Sequence, residues 1–256
     1  MQDLSIALVQ TEQFWEDKDK NRQHIQALLA SFKEKVDVIV LPEMFDTAFS
    51  MNTDLANEWP SNNSLEMLIN LARSKDAALY TSMMVSDNGT FRNRGVFVTE
   101  KGEVHVYDKR KSFGLGGEDQ FFTPGKEEVI IPYRGWNINL QICYDLRFPE
   151  LIRNREIEGK AAYDLLLYVA NWPERRSMHW KTLLCARAIE NQSYVVGVNR
   201  VGTDGNQLVY SGDSLCCNPL GETSECAPNR SEIRVVLLSY QKLQHIRKAL
   251  PFLKDR

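Results

Sequence analysis

The sequence predicts an α/β protein built around at least partly parallel sheets. Short apolar runs alternate with amphipathic stretches at helical spacing near both ends of the chain. Turn dipeptides divide the middle into hairpins. The 256 residues are 43% hydrophobic and 25% charged, a globular balance that leaves room for one large domain.

Taken in order, "LSIALVQ" and "VDVIVLPEMF" read as buried strands. Between them Ile25, Leu28, Leu29 and Phe32 recur at helical spacing within Trp15 to Lys35, which gives a βαβ opening. "SLEMLINLARSK" is amphipathic with Ser64 as its candidate cap, and "AALYTSMMVS" returns as a strand. Such alternation implies parallel pairing through right-handed crossovers. "DNGT" marks a turn, and "NRGVFVTEKGEVHVYDKR" gives two strands about Lys101-Gly102. "EEVIIPYRGWNINLQIC" is a further hairpin about Arg134-Gly135, and a helix is expected near Pro149. "YDLLLYVANWP" reads as strand and loop, and Met178 to Asn191 as a helix. "SYVVGVNRVG", "SLCCNPLGE" and "EIRVVLLSY" read as strands before a short terminal helix. No repeat, low-complexity tract or Pro- and Ser-rich linker interrupts the chain, so a single domain over residues 1–256 is expected.

A formal net charge of -3 gives no electrostatic case for nucleic acid or an anionic membrane as partner. "MQDLSIALVQ" lacks the basic and apolar regions of a signal peptide, and no stretch approaches the roughly 20 apolar residues of a membrane span. A cytoplasmic protein with a small-molecule or protein partner is the expectation. Cys143, Cys185, Cys216, Cys217 and Cys226 are sparse and odd in number, which fits reduced thiols, and without a C-x-x-C pair structural zinc is not expected.

In open α/β sheets ligands bind beyond the carboxyl ends of strands, so polar residues placed there are the candidates for chemistry. Glu43 follows "VIVLP", Lys109 follows "VHVY" through Asp108, and Cys143 follows "NINLQI". Singly, each has an ordinary reading: a small core hydrophobe for the cysteine, solvated loop charges for the others. Together they supply what acyl transfer needs, since a thiol requires a base and the transition state requires positive charge or N–H donors at its oxyanion. Among the histidines, His24 and His245 fall on surface helices and His105 within a hairpin. Only His179 follows a strand-end loop, so a Cys143–His179 pair is the alternative.

"LPEMF", "YDKRKSF" and "ICYDLRFPEL" resemble, in order, the three signature segments of the nitrilase superfamily of carbon–nitrogen hydrolases. The block "YVANWPERRSMHWKTLLCARAIENQSYVVGVNRVGTDGN" is similar to its bacterial omega-amidase branch, which deamidates 2-oxoglutaramate and related dicarboxylate monoamides. The resemblance implies a four-layer α-β-β-α sandwich that pairs into at least a homodimer through helices near the nucleophile. It implies Cys143 as nucleophile, Glu43 as general base and acid, and Lys109 as electrostatic partner. A further glutamate lining such sites falls on Glu118 in "GGEDQFFTPG". It implies no metal or organic cofactor.

At a strand-to-loop turn, Cys143 would leave the Tyr144 N–H free to donate to the substrate oxygen. A distal carboxylate calls for an arginine fork, for which Arg175, Arg176 and Arg147 are candidates. Tyr144, Trp172 and Phe45 are candidate pocket walls. The triad alone also allows a nitrilase, a carbamoylase, an aliphatic amidase or an N-acyl transferase, and a non-catalytic ligand-binding relative is a different class of reading. Fast alkylation of Cys143 favours catalysis, and uniformly sluggish thiols favour binding.

Overall fold

A computed structural model describes residues 2–256. The strand Leu4–Gln10 lies between Glu232–Leu238, antiparallel to it, and Val38–Val40, parallel to it. Ala78–Asp87 extends the parallel set, and Thr90–Val98 and Val104–Asp108 close the sheet as antiparallel hairpins. The second sheet has a parallel centre too: Trp136–Ile142, Leu165–Ala170 and Tyr194–Asn199, in that order. Ile130–Tyr133 flanks it on one side, and Leu215–Cys217 with Thr223–Glu225 on the other, all antiparallel.

Side-chain alternation along a strand explains how the layers stack. Leu4, Ile6 and Leu8 join Ile138, Leu140 and Leu167 in a core between the two sheets. Ala7 and Val9, on the other face, meet Ile25 and Leu29 of the helix Lys18–Ser31 and Leu68 of the helix Asn63–Lys75. Trp180 and Leu184 of the helix Ser177–Asn191 cover the outer face of the second sheet at Gly197. The result is an α-β-β-α sandwich whose parallel strand ends point to one side.

Several local expectations change. Asn62, not Ser64, caps the second helix by accepting from Leu65 N–H at 2.8 Å. Ser64 lies inside the helix, and its hydroxyl donates to the buried Asp46 carboxylate at 2.7 Å. The first helix begins at Lys18, capped by Asp17, because Trp15 and Glu16 belong to the loop that leaves the first strand. No α-helix starts near Pro149. Two 3-10 turns, Cys143–Arg147 and Pro149–Leu151, occupy that stretch, followed by a short hairpin of Glu156–Ile157 and Lys160–Ala161. All five cysteines are unpaired.

Candidate active site

Glu43, Lys109 and Cys143 leave their strands at the same end of the sandwich, and their side chains are buried together with Glu118. Glu43 follows Val38–Val40 through Leu41-Pro42, whose carbonyl accepts from the Thr81 hydroxyl at 2.6 Å. The next peptide is pinned by Met44 N–H donating to Ser82 Oγ at 2.9 Å. Lys109 is fixed on both sides of its backbone: its N–H donates to Asn93 O at 3.0 Å and its carbonyl accepts from Gly125 N–H at 2.8 Å. A Cβ on Gly125 would lie 2.2 Å from Asp108 O, so the Pro124-Gly125 turn can approach this strand end only with glycine.

The Lys109 ammonium donates to Glu43 Oε1 at 2.9 Å and to Glu118 Oε1 and Oε2 at 2.9 and 2.8 Å. Burial pulls the lysine down, but the Glu118 and Glu43 carboxylates outweigh it and hold the ammonium above its ordinary range. Asn93 bridges the two carboxylates, donating from Nδ2 to Glu43 Oε1 at 2.8 Å and Glu118 Oε1 at 3.2 Å. Glu118 also accepts the Phe113 N–H at 2.6 Å, which anchors the loop between Lys109 and the Pro124-Gly125 turn.

Cys143 adopts φ 42°, a left-handed conformation that is rare for a residue with a Cβ and that clusters at functional sites. Asp145 holds the turn. Its Oδ2 accepts from Ile142 N–H at 3.1 Å and Tyr107 O–H at 2.7 Å, and its Oδ1 accepts from Lys111 N–H at 2.9 Å. The nucleophile candidate's turn is thereby tied to the segment bearing Lys109. Burial lifts the Asp145 carboxyl to about 6, against hydrogen bonding from Tyr107. Burial, and then the charge of Glu43, push the Cys143 thiol well above its ordinary range, and Lys109 opposes them. Burial and the Glu43 charge thus favour the thiol over the thiolate.

A cleft of about 460 Å³ opens onto this cluster; Lys109, Cys143, Tyr144, Asn171 and Trp172 are on its wall. Arg147, Arg175 and Arg176 line it as well, and none of the three has a carboxylate within ion-pair distance among the described residues. Arg147 lies over Trp172 at 4.7 Å and meets His179 Nδ1 at 3.2 Å. Arg176 lies over Phe113 at 5.5 Å, and burial, followed by the charges of Arg175 and Arg147, lowers its pKa. His179 is exposed and is not part of the cleft wall. Phe45 is not a wall either; it is buried on the helix side of the first sheet with Leu65 and Leu68.

Asn93, Asn171 and Asp145 were not assigned from the sequence. All three lie within quoted segments, Asn93 as the first residue of "NRGVFVTEKGEVHVYDKR", but nothing in the sequence marks that asparagine from any other polar residue of a strand. No group of three or more potential metal ligands occurs among the described residues.

Residues 5–248 match the carbon-nitrogen hydrolase family model. The omega-amidase YafV of Yersinia enterocolitica is 41% identical over 256 residues, covering 100% of this chain and 97% of that protein. The 2-oxoglutaramate amidase of Bacillus subtilis is 27% identical, covering 98% and 96%. Among solved structures, XC1258 of Xanthomonas campestris, a CN-hydrolase superfamily protein carrying an arsenic adduct in its active site, superposes with a TM-score of 0.97. It is 38% identical, with 100% of this chain and 98% of that chain covered. The match in family model, full-length sequence and fold leads to one conclusion: the chain belongs to the carbon–nitrogen hydrolase family, within the nitrilase superfamily.

Proposed function

We propose that the protein is an omega-amidase that hydrolyses the terminal amide of dicarboxylate monoamides such as 2-oxoglutaramate, giving the dicarboxylate and ammonia through a cysteine thioester. The observation that carries this reading is the cleft itself: three arginines without carboxylate partners share it with the buried Cys143 and Lys109, and Lys109 is bonded to the buried Glu43 behind it. A monoamide of a dicarboxylic acid has one end for each. Its carboxylate suits a guanidinium fork, and Arg176, half-buried and partly desolvated, is the first choice over the more exposed Arg175 and the His179-engaged Arg147.

In this mechanism Glu43 accepts the Sγ proton as sulfur attacks the amide carbon, because a thiol held protonated needs a base at the moment of attack. The oxyanion is stabilised by the Lys109 ammonium and the Tyr144 N–H. Tyr144 is the second residue of a 3-10 turn, where backbone N–H groups have no intrahelical acceptor. Glu43 passes its proton to the departing nitrogen, the C–N bond breaks and ammonia leaves. Water, deprotonated by the same carboxylate, then cleaves the thioester and returns the thiol. Glu118 and Asn93 fix Lys109 and Glu43 against each other.

The runner-up reading, a Cys143–His179 hydrolase, has no supporting contact, since His179 is engaged by Arg147. We further propose a homodimer, supported by Met178 and Ile189, which are 72% and 51% exposed on the helix after the cleft loop; sedimentation tests it. No helix among the described residues is long and apolar enough to cross a membrane. The proposed cytoplasmic location is supported by the five unpaired cysteines and is tested by fractionation.

The experiment is ammonia release from 2-oxoglutaramate, succinamate, glutamine and a simple nitrile, with wild type and Cys143→Ala. Preference for the oxo or succinyl monoamide, lost in the variant, supports both substrate and nucleophile. Activity on the nitrile alone, or undiminished activity in the variant, overturns the reading.

A further inference from the structure

Two loops from distant parts of the chain line the cleft together with Lys109 and Cys143, and both are held by several hydrogen bonds. The loop leaving the first strand carries Trp15. Phe14 and Asn21 exchange two hydrogen bonds of 2.7 Å, from Phe14 N–H to Asn21 Oδ1 and from Asn21 Nδ2 to Phe14 O. On the other side of Trp15, Glu16 N–H donates to Thr47 O at 3.0 Å, and the Glu16 carboxylate accepts from Ser50 Oγ at 2.5 Å. Glu16 has φ 56°, so this backbone is set in a conformation that its partners must maintain. Trp15 is half-buried and lines the cleft with Cys143.

The second loop is the tip of the hairpin Val201–Thr203 and Val209–Ser211. Asp204 organises it: Oδ1 accepts from Asn206 N–H and Leu208 N–H at 2.8 and 3.0 Å, and Oδ2 accepts from Tyr210 O–H at 2.8 Å. At Gly205 the tip meets Trp15. A Cβ placed there would stand 2.5, 2.6 and 2.7 Å from Cδ1, Nε1 and Cγ of the indole, so the ring rests directly on the Gly205 backbone. Asp204, Asn206 and Leu208, on either side of Gly205, also line the cleft.

We propose that Trp15, seated on Gly205, is the wall that sets the length of the acyl chain the enzyme accepts. The inference rests on the cleft being the amide-substrate site. The physical basis is that an indole backed by a rigid tip cannot retreat from a longer substrate. The absence of a side chain at position 205 decides how far into the cleft the indole reaches. Residue 205 does not occupy the left-handed region, so alanine is compatible with its backbone and acts through the ring alone.

The test is kcat/KM for ammonia release from the monoamides of malonic, succinic, glutaric and adipic acids, measured for wild type, Trp15→Ala, Trp15→Leu and Gly205→Ala. One methylene in a filled pocket commonly changes kcat/KM by roughly tenfold or more. Trp15→Ala and Trp15→Leu are therefore expected to raise the ratio of longer to shorter substrates by about that factor. Gly205→Ala, which drives the ring away from the tip, is expected to move the ratio the opposite way. A ratio is unaffected by partial misfolding, and two substitutions at Trp15 guard against loss of either one. Wild-type ratios in all three variants, on an enzyme active toward monoamides, overturn the wall and leave the amidase reading standing. A wild type that releases no ammonia from any monoamide overturns both.

Discussion

Glu43 and Asn171 are 128 residues apart in the chain and are joined by two hydrogen bonds: Asn171 N–H donates to Glu43 Oε2 at 2.8 Å, and Asn171 Nδ2 to the Glu43 carbonyl at 2.6 Å. The first comes from the end of the second sheet's central strand and the second locks the loop leaving the first sheet. The carboxylate proposed to take and return protons is thereby held in one orientation, with its other oxygen on Lys109. Asn171→Ala is expected to lower kcat by tenfold or more while KM for succinamate changes little, since what is lost is the setting of the proposed base rather than a contact with substrate (~tenfold, as for modest misplacement of a catalytic group). Steady-state kinetics decide it, and an effect confined to KM counts against this role.

Lys109 is the ion-pair partner of two buried carboxylates, and removing it leaves both without a cation. Lys109→Ala is expected to cost on the order of a hundredfold or more in kcat. It is also expected to lower folding stability by about 3 kcal/mol, the scale for a buried pair that loses one partner. Adding Glu118→Gln should recover part of that stability but not the rate, read from denaturation midpoints and ammonia release on the same preparations. Lys111→Ala is the control: its side chain is partly exposed, 4.0 Å from Glu150, and turnover should persist.

The resting Cys143 is expected to be neutral at pH 7, because burial and the Glu43 charge raise its pKa. Ultraviolet thiolate absorbance, compared between wild type and Cys143→Ala, should therefore show no difference at neutral pH. A clear thiolate band at neutral pH would contradict it.

Asp145 gives a pH dependence with a definite sign. Its carboxyl is raised to about 6 in the folded protein, so the fold binds this proton more tightly than the unfolded chain does. Its contribution to stability is full below the ordinary carboxyl range and is lost as pH rises through about 6, amounting to about 3 kcal/mol. Asp145→Asn removes the titration, so stability across about pH 4 to 6 should fall less steeply than in wild type. Parallel denaturation curves for the two proteins would exclude this role.

Arg176→Ala should raise KM for dicarboxylate monoamides by about tenfold, the scale of one charge-assisted hydrogen bond, and leave neutral primary amides nearly unchanged. If Arg147→Ala or Arg175→Ala produces that selective loss instead, the distal carboxylate is read by a different member of the trio.

The sequence by itself determined the long strands of the two sheets, through short apolar runs such as "LSIALVQ", though not the short hairpin of Glu156–Ile157 and Lys160–Ala161, and it determined the positions of Glu43, Lys109 and Cys143 after three of those strands. Those features are local: periodicity and strand-end placement follow from backbone geometry within a few residues. It also determined the family, through three segments in a fixed order. Only the tertiary structure decided what surrounds these residues. Asn93 reads as any mid-strand polar residue until the strand register puts it between two carboxylates. Phe45 reads as a pocket aromatic until its face of the loop turns toward the first pair of helices. The pKa of Cys143 is set by burial and by a charge that is remote in sequence, and spacing cannot express either. The wall formed by Trp15 and Gly205 exists only because the end of the first strand runs beside the hairpin that follows Tyr194–Asn199, where Glu12 bridges Val201. Contacts between loops so far apart in the chain are fixed by how the two sheets stack, and no single stretch of sequence encodes that stacking.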